Sequence, residues 1–226
     1  MNPWGFFAKV MYETMRIVTW TQIVIVDEGG RSHLDGRAAT LVAANHQSHA
    51  DTALIFNTVP NSVRSRLRIV ASKVRFETAA FTATRRERFE RWLMHGLAVN
   101  AYRAILVGGD IGPLRSIDGI TEALKNGTTV VVYPEGTRSR DGTLSTLRPG
   151  VAMAAIASRC NVIPVRIDGT REALPRTRYF PRFRNHITIR FRPAIAPREN
   201  ENEQDFLVRL AQNLQPHSAA NQGKTT

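Results

Sequence analysis

A mixed, largely parallel α/β sheet flanked by helices is the fold class that this 226-residue chain predicts. Three observations carry it. Apolar runs of strand length alternate along the chain with longer segments of helical periodicity. Two of the runs, "ATLVAA" and "TTVVVY", read as buried strands, which an α/β sheet covers with helices. Hydrophobic residues make up 42% of the composition, enough for one domain with a proper core.

The elements follow in order. Trp4, Phe7, Ala8, Met11, Met15 and Val18 recur at three- and four-residue steps, so residues 1–20 read as an amphipathic helix, either packed on the core or lying in a membrane interface, with both open to different faces. "QIVIV" is a strand closed by "DEGG", and "ATLVAA" is the next. "HADTALIFNTV" reads as a helix with Pro60 just after it. "LRIVAS" is a third strand, and residues 73–99 form one or two Arg-rich helices. In "GPLRSIDGITEALKNG", Pro113 opens a helix, Leu114, Ile117, Ile120 and Leu124 share a face, and Gly127 stops it. "TTVVVY" is a strand, "GVAMAAIAS" a small-residue helix, and "NVIPVRI" and "HITIRF" are two more strands. Residues 201–214 form a last helix. One domain therefore spans residues 21–215, followed by a polar, disordered tail over 216–226.

The net charge is +12 and the isoelectric point about 11.0, so the partners expected are anions: nucleic acid, anionic lipid or phosphorylated molecules. Cys160 is the single cysteine, which excludes a disulfide framework and a cysteine-rich zinc site. No window is long and apolar enough for a transmembrane helix. Lys9, Glu13 and Arg16 interrupt the N-terminal apolar residues, which argues against a signal peptide.

Chemistry concentrates in two stretches, each placed at the carboxyl end of a strand, where open α/β sheets carry function. In "AANHQSHAD", His46 follows a buried run and Asp51 comes five residues later. A carboxylate bonded to one imidazole nitrogen fixes the tautomer and leaves the other nitrogen to accept a proton. The same residues also fit a capping box from Ser48 to Asp51, and the two readings are compatible. No G-x-S-x-G elbow supplies a nucleophile, so a hydroxyl of the substrate would have to. In "YPEGTRSRDG", Gly136 permits close backbone approach, Thr137 offers a hydroxyl, and Arg138 offers a fork that grips phosphate with two bonds. A polar turn with a surface arginine is the plainer reading of that stretch alone.

Together, "NHQSHAD" and "YPEGTRS" resemble the first and third blocks of the glycerophospholipid acyltransferase family, which includes the 1-acylglycerol-3-phosphate acyltransferases. Tyr133 stands where that family has phenylalanine, "LSTLRPGVAMAAIAS" is similar to its loop and small-residue helix, and "VIPVRIDG" is similar to its fourth block with Pro164 in place. The second block departs. The family's short hydrophobic run there ends in an arginine that helps hold the substrate phosphate. Here the run is "LAVNAYRAILVGGD", and neither Arg103 nor Arg115 ends it. A different head group, or a phosphate held mainly by Arg138, fits that departure.

The resemblance implies transfer of a fatty acyl group from acyl-CoA or acyl carrier protein to the free hydroxyl of 1-acylglycerol-3-phosphate, another lysophospholipid or a lyso-aminolipid. It implies His46 as general base, Asp51 as its orienting carboxylate, Glu135, Gly136, Thr137 and Arg138 on the acceptor phosphate, and Pro164 on the acyl-donor side. It implies neither a cofactor nor a metal. Such substrates live in bilayers, which gives the basic clusters "RSRLR", "RRERFER" and "REALPRTRYFPRFR" a use on anionic lipid, with Trp4, Phe6 and Phe7 inserting. The expected location is peripheral or monotopic, on the cytoplasmic face of a membrane. Non-enzyme readings are a basic lipid-binding relative and a nucleic-acid binder. "RYFPRFR" would suit the latter, but no RNP, zinc-finger or helix-turn-helix signature accompanies it.

Overall fold

The computed structural model describes residues 6, 9–10, 12–36, 38–74, 85–175 and 181–216. The strands are β1 (Gln22–Asp27), β2 (Thr40–Ala44), β3 (Leu67–Ser72), β4 (Ile105–Val107), β5 (Thr129–Val132), β6 (Asn161–Asp168) and β7 (His186–Phe191). They form one sheet in the order β1-β7-β6-β2-β5-β3-β4. Neighbours run parallel except β6 and β7, which are antiparallel, so the sheet is mixed and largely parallel. The longer helices are α1 (Ala50–Thr58), α2 (Arg85–Gly96), α3 (Pro113–Lys125), α4 (Gly150–Ser158) and α5 (Glu203–Leu214).

Side chains alternate across the sheet, and both faces are covered. Val42 and Ala44 of β2 join Leu54 and Ile55 of α1, Val131 and Ile163 in one core. Leu41 and Ala43 join Leu124 of α3, Ala152 and Ala155 of α4, and Phe206 and Leu210 of α5 in the other. A strand covered on both sides has no polar face to show, which is why β2 and β5 are buried throughout and apolar after their leading threonines. Ala152, Ala154 and Ala155 of α4 are fully buried and let that helix lie close between α3 and α5.

Strand β4 has no counterpart in the sequence reading. It is three residues long, half-buried and at the sheet edge, too little for an apolar run to announce. Helix α2 supplies part of the Arg-rich helical stretch and passes into a π-turn over Leu97–Ala101, while residues 75–84 lie outside the described residues. Trp4, Phe7, Ala8 and Met11 of the expected N-terminal helix, and the tail beyond 216, also lie outside them. Within the described part, Thr14–Val18 winds as a π-helix. Among the described residues, no helix is long and apolar enough to cross a membrane.

Candidate active site

Strands β2 and β5 are neighbours, with Ala43 opposite Val132, so the segments that leave their carboxyl ends start side by side. This brings residues 45–51 and 133–139 together across a long separation in sequence. Two contacts seal the join. Ser139 donates its N–H to the His46 carbonyl at 2.7 Å. Glu135 Oε1 accepts the His46 N–H at 2.8 Å, and its Oε2 accepts the Ser145 N–H at 2.9 Å.

Asn45 fixes the other side. As β2 ends, its amide continues the ladder onto β6: Nδ2 donates to the Ile167 carbonyl at 2.8 Å, and Oδ1 accepts the Ile167 N–H at 2.7 Å. All of these groups are buried. Asn45→Ala strands a buried donor and a buried acceptor, at about 1–3 kcal/mol each. The variant is expected to lose about 2–6 kcal/mol of stability, read as a lowered chemical-denaturation midpoint. A midpoint equal to that of the wild type would show that the clamp carries no weight.

The histidine and aspartate meet as their spacing suggests. His46 Nδ1 lies 2.8 Å from Asp51 Oδ2. The same oxygen accepts the backbone N–H of Gln47 at 2.7 Å and of Ser48 at 2.8 Å. The Ser48 bond is half of a capping box, so Asp51 caps the start of α1 and holds the imidazole at once. A carboxylate accepts, so the proton sits on Nδ1 and Nε2 presents its lone pair. Asp51 is fully buried, and its second oxygen, Oδ1, has no donor among the described residues.

Tyr133 completes the setting in a way that the sequence reading did not anticipate. Its ring stacks on His46 with centroids 4.0 Å apart and 18° between planes. Its hydroxyl pairs with Thr52 Oγ1 at 2.9 Å, one residue beyond Asp51 on α1. Burial, and then the Asp51 charge, push the Tyr133 phenol well above its usual range, so it keeps its proton. The only foreshadowing was a tyrosine at a position where phenylalanine was expected.

His46 and Tyr133 open onto a cavity of about 430 Å³, of the size that small-molecule sites have. Gly136, Thr137 and Arg138 line its polar end beside His46. Ile69 and Ala71 of β3, Met94 of α2, Leu97 and Ala98 of the π-turn, and Val107 of β4 form an apolar wall. No single motif marks that wall, because it is assembled from three separate segments.

Asp51 stands behind His46, off the cavity wall, and two further expected site residues also lie off it. Glu135 is buried, with both oxygens on backbone N–H groups. Pro164 sits within β6, opposite Ala43 of β2. The antiparallel pairing with β7 begins at Val165 opposite Phe191, while Val162 bridges Ile195, so one extra residue bulges opposite Pro164. That irregularity tolerates a residue with no N–H in an internal strand. In the second block, Arg103 donates to the Ser65 carbonyl and Arg115 is exposed on α3, and neither lines the cavity.

A carboxylate–imidazole pair beside the Gly136–Arg138 loop, over a partly apolar cavity, suits proton abstraction from a hydroxyl on an amphiphile. Comparison with known proteins agrees in kind. The family model described as Acyltransferase matches residues 25–168. A chloroplastic 1-acyl-sn-glycerol-3-phosphate acyltransferase of Arabidopsis thaliana is 39% identical over 54 residues, 24% of this chain and 15% of that protein. A 1-acyl-sn-glycerol-3-phosphate acyltransferase of Limnanthes douglasii is 31% identical over 91 residues, 37% of this chain and 31% of that protein. The matches thus span less than a third of these relatives' lengths. The crystal structure of PlsC, the 1-acyl-sn-glycerophosphate acyltransferase of Thermotoga maritima, superposes with a TM-score of 0.63 at 21% identity. It covers 92% of this chain and 77% of that one, and it establishes the likeness of fold.

Proposed function

The chain belongs to the Acyltransferase family, and we propose that it moves a fatty acyl group from acyl-CoA or acyl carrier protein to the free hydroxyl of 1-acylglycerol-3-phosphate. The observation that carries this reading is the shared cavity, lined both by His46 and Arg138 and by apolar side chains of β3, β4 and the Leu97–Ala101 turn. An acceptor with an anionic head, a hydroxyl beside it and an acyl tail matches that set of groups.

In the reaction, His46 Nε2 takes the acceptor's hydroxyl proton as the oxygen attacks the thioester carbonyl carbon. The tetrahedral centre collapses, the carbon–sulfur bond breaks, and the leaving thiolate takes the proton back from the imidazolium. Asp51 holds Nδ1 and balances the charge that His46 gains. Thr137 and Arg138 bind the phosphate, Gly136 lets it approach, and Glu135 places the loop by its two backbone contacts. The apolar wall takes an acyl chain, at about 0.8 kcal/mol for each buried methylene. Pro164 acts on the donor side only through the shape of β6.

The test is thiol release from oleoyl-CoA, and from oleoyl-acyl carrier protein, across a panel of lysophosphatidic acid, other lysophospholipids and a lyso-aminolipid. Fastest turnover with lysophosphatidic acid is expected. Turnover confined to another acceptor would keep the chemistry and replace the substrate. No turnover with either donor would sink the reading.

The second part of the proposal is a peripheral or monotopic seat on the cytoplasmic face of a membrane. In support, Ile17 and Val18 are 58% exposed, Trp20 70% and Phe183 71%. The Arg184 N–H bonds the Thr19 carbonyl at 2.7 Å, and its guanidinium lies over the Trp20 ring, so these apolar and basic groups share one surface. Basic and apolar groups together favour an anionic interface. Trp20→Ala with Phe183→Ala is expected to weaken co-sedimentation with anionic phosphatidylglycerol vesicles by about tenfold or more, given several kcal/mol of lost apolar burial. Undiminished co-sedimentation would remove this surface from the proposal.

A further inference from the structure

We propose that Arg148 supplies the second positive charge on the acceptor's phosphate, beside Arg138. The assignment rests on the reading of the acceptor as a phosphate monoester. A monoester carries close to two negative charges at neutral pH, and Arg138 balances one of them.

Among the described residues, the ends of β3 and β4 beside the cavity supply no net charge. Lys73, just after β3, donates to both carboxylate oxygens of Asp110, at 2.7 and 2.9 Å. The residues that follow β4 are Gly108, Gly109 and Asp110, with no arginine at the end of the run. The ammonium and the carboxylate there cancel.

The loop after β5 offers the missing cation. Gly136 lines the cavity and has φ +70°. A Cβ added to it would fall 2.3 Å from Arg148 Nε and 2.7 Å from its Cδ. The arm of Arg148 therefore lies across Gly136 in the space where any other residue would carry a side chain. Its own backbone is pinned by an N–H bond to the Pro134 carbonyl at 2.8 Å. Arg148 is exposed, and among the described residues its guanidinium makes no hydrogen bond or ion pair. A fork held against the phosphate loop, with its donors unspent, is placed to add two bonds to an anion there. Neither arginine forms the cavity wall itself, and Arg140, also exposed on the same loop, does not pack on Gly136 as Arg148 does.

The experiment compares binding of 1-oleoyl lysophosphatidic acid and uncharged 1-oleoylglycerol, dispersed in one non-ionic detergent, to the wild type, Arg148→Ala, Arg148→Lys and Arg140→Ala. The wild type should prefer the phosphate lipid. Arg148→Ala should lose about tenfold of that preference, Arg148→Lys part of it, and Arg140→Ala almost none, with 1-oleoylglycerol bound equally by all four. Thermal melts confirm that each variant is folded. Equal preference in wild type and Arg148→Ala would overturn the assignment, as would an equal loss in Arg140→Ala or a wild type with no preference. Acyl transfer is assayed on the same preparations. Its absence would sink the proposed reaction, while the binding ratio alone decides on Arg148.

Discussion

His46→Ala is expected to lower turnover by about 10²- to 10⁴-fold, the range that a positioned general base contributes. The loss should fall on kcat and leave the KM for the lysophospholipid near its wild-type value. The cavity wall and Arg138 do not depend on the imidazole, so binding survives while the proton has nowhere to go. Residual activity is also expected, because the two substrates are still held together. The fold should be kept. His46 is part-buried at the end of a loop, and without it Asp51 Oδ2 still accepts from the Gln47 and Ser48 N–H groups. Steady-state kinetics beside a thermal melt read both effects. Activity within a few-fold of wild type would take the base role away from His46.

How much of this was legible in sequence follows from burial. β2 and β5 are covered on both faces, so they run apolar from their second residue to their end, and the polar groups that follow stand out against them. The two motifs could thus be placed at strand ends. That those ends adjoin is a matter of sheet order, set by the crossovers and not by any local pattern. The antiparallel turn of β7 against β6 was hidden for the same reason, since strand direction leaves no mark on side-chain type. β4 failed on length and exposure. In the site, His46 and Asp51 were readable as a pair because only four residues separate them, across the short turn that leads into α1. Glu135 was readable as part of a motif but not as a brace, because its partners are backbone N–H groups, which every residue has. The Tyr133 stack needed coordinates on both elements.

Asp51→Asn separates the two duties that the geometry gives this carboxylate, and the contrast with Asp51→Ala makes the separation measurable. Asparagine matches the shape of aspartate but has one acceptor where the carboxylate has two. The backbone N–H groups of Gln47 and Ser48 both point at Oδ2, so the amide oxygen must settle there. His46 Nδ1–H then keeps an acceptor, and the tautomer is preserved. What disappears is the negative charge that balances the imidazolium once Nε2 takes a proton. The amide NH₂ also falls where Oδ1 was, a buried place with no partner among the described residues, at a cost of about 1–3 kcal/mol. Turnover should therefore drop by about 10²-fold, less than where the wrong tautomer is enforced. Asp51→Ala instead leaves two buried N–H groups without an acceptor, about 2–6 kcal/mol, and is expected to unfold well below the temperature of Asp51→Asn. Because aspartate acts only through the ring, Asp51→Asn added to His46→Ala should cost almost nothing further in kcat. Multiplying losses in that double variant would mean that Asp51 touches the reacting groups by a route other than His46.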